Sequence, residues 1–250
     1  MVVATWSVTQ NAFLGKGRHS TFSSPTECPK LFFVGDCCNH AAHVTKGVTM
    51  TEKTEEFAWL SGCETLDEIY CVSFVRGIPP EEVLRRFGVD ESTMEEVTFD
   101  ELDERSAESM RDDVAGYIGA AQIGGWTLVI EPGGWQIAVD SEIHGRVSQG
   151  TEVVSVCRHD YASDTFAYIV DGKPVVWFDP RMPDSRSGSD PDRFIVEMRR
   201  VGLDPDHDID GPGIAFPIPS SFALASRITG LSFSSEMLDL QFLGAETLEE

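Results

Sequence analysis

Positive charge is scarce in this chain: 19 lysines and arginines stand against 42 aspartates and glutamates, a formal net charge of −23 over 250 residues. Such a surface repels nucleic acid and anionic membrane, which excludes a direct phosphate-backbone binder. No apolar run approaches the roughly eighteen residues of a membrane-spanning helix, so no span is predicted. The signatures of familiar chemistry are missing as well. There is no Gly-x-x-x-x-Gly-Lys-Ser/Thr loop, no Gly-x-Ser-x-Gly elbow, no His-Glu-x-x-His and no Cys-x-x-Cys. Gly15-Lys16-Gly17 is too short to cradle a phosphate. Neither a cofactor nor a metal is implied.

Cysteine is sparse and unevenly placed. Cys28, Cys37 and Cys38 fall in the first fifth of the chain, and Cys63, Cys71 and Cys157 are dispersed. Cys71 and Cys157 lie inside strand-like runs, where a cysteine behaves as a small buried hydrophobe. Reduced thiols in a cytoplasmic protein are the expectation.

Residues 1–49 differ from the remainder. They hold four basic residues (Lys16, Arg18, Lys30, Lys46) against two acids (Glu27, Asp36), which leaves 15 and 40 beyond them. Past Met50, lysine survives only at Lys53 and Lys173, while arginine is plentiful. The first segment lacks the ordered basic, apolar and small-residue parts of a secretory signal. Its Cys37-Cys38 pair before His40 and His43 fits no zinc spacing well. The expectation is a disordered or spurious extension over 1–49, with translation starting at Met50, followed by a single domain over 50–250.

That domain is organised around Gly124-Gly125-Trp126-Thr127-Leu128-Val129-Ile130-Glu131-Pro132-Gly133-Gly134-Trp135. It reads as a central strand whose glycine ends admit close approach of other backbone. Alternation puts Trp126, Leu128 and Ile130 on one face, against helices, and Thr127, Val129 and Glu131 on the other. Upstream, Cys71 to Gly77 is a β-branched run that reads as a strand. Pro79-Pro80-Glu81-Glu82 opens a helix that buries Val83, Leu84 and Phe87 and stops at Gly88. Arg85-Arg86-Phe87-Gly88-Val89-Asp90 returns as Arg199-Arg200-Val201-Gly202-Leu203-Asp204, which shared helix-end capping explains without a repeat. A strongly acidic stretch over 90–113 reads as a mobile, partly helical insertion. Downstream come strands at 114–123 and 151–157 and a short helix at 141–147. Helices follow at 191–201, 220–229 and 234–240. Asp171-Gly172, between 165–170 and 173–178, specifies a two-residue hairpin turn. The predicted class is α+β: one domain, a mainly antiparallel sheet with helices packed on one face.

Three chemical readings attach to these elements. Glu131, between Trp126 and Trp135, is a candidate for a raised pKa and a catalytic use; the plainer alternative is a carboxylate accepting hydrogen bonds from a backbone turn. His159-Asp160, with Asp164 near, is a candidate acid/base pair or part of a metal site, or else a solvated turn. Trp126, Trp135 and Trp177 are candidate binding residues.

In order along the chain, Cys71-Val72-Ser73-Phe74-Val75-Arg76-Gly77, Pro80 to Gly88, Gly125 to Leu128 with Glu131, Gly134-Trp135-Gln136, Gly150 to Ser155 and Gly188-Ser189-Asp190-Pro191 carry a resemblance. From about Trp59 to Gly244 the chain resembles an uncharacterised actinomycete domain family, the one numbered 6461. The resemblance implies no activity, cofactor or catalytic residue. The leading expectation is therefore a non-catalytic protein-binding or regulatory module, inhibitor- or immunity-like, whose acidic surface meets a partner protein with a basic one. One alternative is a hydrolase or metal-dependent enzyme using Glu131 with His159 or Asp160. Another is a small-ligand sensor with a tryptophan-lined pocket.

Overall fold

The computed structural model describes residues 52–61, 66, 68–111, 116–160, 162–208 and 210–248, all within one compact unit, Thr45–Glu250. The expectations for residues 1–49 lie outside the described residues. Eight strands form one sheet: β1 (Tyr70–Arg76), β2 (Glu95–Val97), β3 (Tyr117–Ile123), β4 (Trp126–Pro132), β5 (Glu152–Arg158), β6 (Thr165–Val170), β7 (Lys173–Phe178) and β8 (Phe242–Glu246). Their order across the sheet is β2-β8-β3-β4-β1-β5-β6-β7, and each neighbouring pair of strands runs antiparallel. The organising stretch is indeed central. It is β4, lying between β3 and β1, and β1 in turn joins the β3-β4 hairpin to the β5-β6-β7 meander.

Among the described residues, seven α-helices accompany the sheet: α1 (Glu52–Glu55), α2 (Pro80–Phe87), α3 (Phe99–Arg111), α4 (Gln136–Val139), α5 (Ser141–Val147), α6 (Ile195–Val201) and α7 (Pro217–Thr229). The α+β class and the antiparallel sheet match the sequence reading. The helices, however, cover both faces rather than one. Trp126, Leu128 and Ile130 pack with Phe57, Phe99, Leu102, Met198, Phe222 and Phe233 in the larger layer. Val129 packs with Val83, Leu84, Phe87, Ile137, Ile143 and Val147 in the smaller one. All seven β4 residues are buried, which is what a strand covered on both sides requires.

Local chemistry explains the elements. Pro80 and two carboxylates start α2, Arg85 and Arg86 end it, and Gly88 at φ 97° accepts the left-handed cap. Asp171 at φ 47° and Gly172 at φ 76° make the hairpin turn between β6 and β7 as expected. The acidic stretch after Asp90 departs from the reading of a mobile insertion. Val97 and the α3 residues Phe99 and Leu102 are buried, so the segment is an edge strand and a packed helix with its acids outward. The α3 hydroxyl of Ser106 donates to the Pro132 carbonyl and ties the helix to the end of β4. Pro191 does not begin a helix; α6 starts at Ile195, with Phe194 as its N-cap.

Candidate functional site

The end of β4 is where the chemistry gathers. After Glu131 and Pro132 the chain turns through Gly133 at φ 62°, whose N–H donates to the Ile69 carbonyl at 2.8 Å. A Cβ on Gly134 would sit 2.9 Å from the Glu131 Cβ, so only glycine lets the turn fold back over this side chain. Glu131 is thereby enclosed, at 1% exposure. Its Oε2 accepts from the Gln136 N–H at 2.7 Å, at the start of α4, and the neighbouring Ile137 N–H also favours the charged form. Its Oε1 has no hydrogen-bond partner. Burial pushes the carboxyl up to about 8, against the lowering effect of the two backbone donors. The carboxylate thus holds a backbone turn, and it does so in a site that favours its neutral form.

Antiparallel register places Glu131 beside unexpected neighbours. Cys71 of β1 lies directly opposite both Glu131 of β4 and Cys157 of β5, so the three share the smaller-layer face. The sulfurs of Cys71 and Cys157 are bonded to one another, with Cα atoms 4.0 Å apart, where free thiols had been expected. One step along, Ser73 Oγ donates to Ser155 Oγ at 2.8 Å. Ser155 Oγ in turn lies 3.2 Å from the Cys71 sulfur and 3.5 Å from that of Cys157. Sequence reading passed over this cluster, although a signal was present. Cys71-Val72-Ser73 and Ser155-Val156-Cys157 are mirror images, the pattern two antiparallel strands need to align like with like.

Beyond the turn, Trp135 is 39% exposed and meets the His159 ring edge-on, with centroids 4.8 Å apart. The structure therefore joins His159 to the Trp135 side of the turn. Asp160 is exposed. Asp164 is buried, accepting from the His159 N–H at 3.1 Å and from Arg181 Nε at 3.0 Å. The three tryptophans do not converge. Trp126 is buried in the larger layer under the Arg76 guanidinium, 5.7 Å away. Trp177 packs against the smaller layer, 5.7 Å from the ring of His144, whose pKa burial lowers. Among the described residues, no group of three or more His, Cys, Asp or Glu side chains is placed to hold a metal ion. Two cavities of about 480 and 490 Å³ lie along α6 and α7 and share Glu197 and Arg227 in their walls. None of the candidate residues lines either.

All of this geometry falls within residues 50–243, which match the model of a family of unknown function, DUF6461. The chain belongs to this family. The DUF6461 match begins at residue 50, where the charge and lysine usage change. No curated protein and no solved structure matches the chain. Among the described residues, no helix is long and apolar enough to cross a membrane.

Proposed function

We propose that this DUF6461 protein is a cytoplasmic, non-catalytic module that binds another protein through the surface carried by α4. The observation behind this reading is the exposure of two large apolar side chains at the two ends of α4, Trp135 as its N-cap and Val139 as its last residue, 39% and 69% exposed. Tryptophan in such a position is a strong interface anchor, because it offers a large rigid surface at little entropic cost. The short helix is held firmly. Glu131 accepts from its first N–H, that of Gln136, at 2.7 Å, and Asp140 just beyond it caps α5, accepting from the Glu142 and Ile143 N–H groups at 2.7 and 3.1 Å. Glu142, three residues past Val139, and Asp160, next to the His159 that meets Trp135, are exposed carboxylates. With a net charge of −23, this surface favours a partner with a basic rim around an apolar slot, of the inhibitor or immunity type, and disfavours nucleic acid. Trp126 and Trp177 enter the reading as packing residues that support the fold. The test is capture from native-host lysate by the wild type and by Trp135→Ala. The variant should keep the wild-type circular dichroism and lose the wild type's salt-sensitive partner. Retention of that partner by Trp135→Ala rejects the reading.

One observation favours a second reading, a hydrolytic enzyme using Glu131 with His159 or Asp160: a carboxyl that stays protonated up to about pH 8 suits a general acid. Against it stand the enclosure of that carboxyl and the exposed, separate position of Asp160. Turnover of generic ester, phosphoester or peptide substrates, lost in Glu131→Gln, would decide for it.

A further inference from the structure

We propose that Cys71, Cys157 and Glu131 form a proton-coupled dithiol–disulfide site, in which Glu131 exchanges a proton with Cys71 as the bond between the two cysteines breaks and forms. The inference goes beyond the binding surface and does not depend on it. It begins with the register. Cys71 sits opposite Cys157 with Cα atoms 4.0 Å apart, the short separation of a pair without backbone hydrogen bonds between its members. The N–H and C=O of Cys71 therefore point to the other side, toward Glu131, making that pair a hydrogen-bonded one with Cβ atoms about 5.5 Å apart. Side chains directly opposite lie on one face, so carboxyl and sulfurs occupy the same dry space under α2, α4 and α5. Ser73 and Ser155 supply hydroxyls beside the sulfurs.

The second observation is the orphan oxygen. With the sulfurs bonded, Glu131 Oε1 has no donor among the described residues, and an unpaired buried oxygen disfavours the charged carboxylate strongly. Reduction makes Cys71 a thiol, whose S–H is a donor on the same face. The carboxylate form of Glu131 is thus easier to reach when the cysteines are reduced, and its pKa falls below the value of about 8 that belongs to the bonded state. Among the described residues, no charged side chain competes for this role. Around Glu131, β1 and β5 present the two cysteines and two serines, β3 presents Ile118, α4 presents Gln136, and α5 presents His144, whose pKa burial lowers. Charge on neighbouring groups does not shift Glu131; burial and the two backbone donors do.

The chemistry balances with a dithiol as reductant. A thiolate of the dithiol attacks the Cys157 sulfur, the bond to Cys71 breaks, and the Cys71 thiolate takes the proton of the Glu131 carboxyl. The second thiol of the reductant then closes on the mixed disulfide and releases Cys157, which takes up a proton as a thiol. The reductant leaves as a cyclic disulfide, having lost two electrons, and its two thiol protons restore those used. In the reverse direction the Glu131 carboxylate takes the Cys71 proton and generates the attacking thiolate. In a reducing compartment such a pair is a transient, redox-responsive bond rather than a permanent staple.

The test equilibrates the full chain with dithiothreitol at graded ratios of its reduced and oxidised forms, from about pH 6 to pH 9. Acid quench, alkylation and peptide mass mapping then read Cys71 and Cys157 specifically. After correction for the ionisation of dithiothreitol, exchange between neutral thiols is independent of pH, so any residual slope reports a further proton. Each pK unit separating Glu131 in the two redox states favours reduction about tenfold across the window. The wild type should show that rise on going from about pH 6.5 to pH 8.5, and Glu131→Gln should keep a reversible bond with a flat profile. Absence of a Cys71–Cys157 bond at every ratio overturns the proposal, as does the same profile in both proteins. If Glu131→Gln does not fold, a flat wild-type profile overturns it alone.

Discussion

The two faces of the central sheet are built from different materials. The larger layer is aromatic: Phe222 stacks on Phe57 and Phe233, with ring centroids 6.2 and 5.0 Å apart, and Phe166 lies 5.0 Å from Phe178. The smaller layer is mostly aliphatic, with Phe87 as its fully buried ring, and it encloses Ser73, Ser155, Glu131 and the bonded cysteines. Large rings bury the most surface per side chain and settle which structure forms. Buried polar groups give up hydration and gain little stability in exchange. The difference teaches where to look for function: the side that stabilises least carries the buried polar groups and leads out to the exposed α4.

Substitutions sharpen this contrast by their size and by their dependence on pH. The largest effect is expected in the aromatic layer. Trp126→Ala removes a buried indole and should cost about 3–5 kcal/mol in chemical denaturation, equally at all pH values. A loss under about 1 kcal/mol would mean that this face does not carry the core.

Glu131→Gln should act in the opposite direction. In the fold the Glu131 carboxyl keeps its proton up to about pH 8, while in the unfolded chain it ionises in the ordinary carboxylate range. Between those values the fold holds the extra proton. Its contribution is fully present below the unfolded value and is lost as pH rises through about 8. The glutamine variant should therefore equal the wild type at about pH 4 and exceed it by about 2–4 kcal/mol at about pH 9. A difference that does not change with pH would contradict the buried, neutral carboxyl. Smaller again, Gly172→Val forces a β-branched residue to φ 76° and should lower stability by about 1–3 kcal/mol, read from the thermal midpoint.

The aromatic layer was largely legible in the sequence. Alternation along Trp126 to Glu131 sorted the strand onto its two faces, Pro80 and Gly88 bounded α2, and Asp171-Gly172 fixed a hairpin, because each signal is local. The second helical layer was not legible. Thr127, Val129 and Glu131 look like a half-solvated face until α2, α4 and α5 arrive from distant sequence. β8 was missed for a related reason. Phe242 to Glu246 is five residues with a glycine, and only its pairing with β2 and β3 makes it a strand. At the site, the sequence left two readings of Glu131 open, a catalytic carboxyl and an acceptor for a backbone turn, and its Oε2 accepts from the Gln136 N–H. Its neighbours Cys71 and Cys157 were not connected to it, because sequence shows the residues of each strand and not which rungs they share.

The central claim is that α4 is a presented surface anchored on a buried polar face, and Trp135→Ala tests it most directly when set beside Trp126→Ala. Thermal unfolding and partner capture should be measured on both variants. The account predicts that Trp135→Ala unfolds within about 0.5 kcal/mol of the wild type yet captures no partner. A Trp135→Ala protein that unfolds as readily as Trp126→Ala, or one that still captures the wild-type partner, contradicts it.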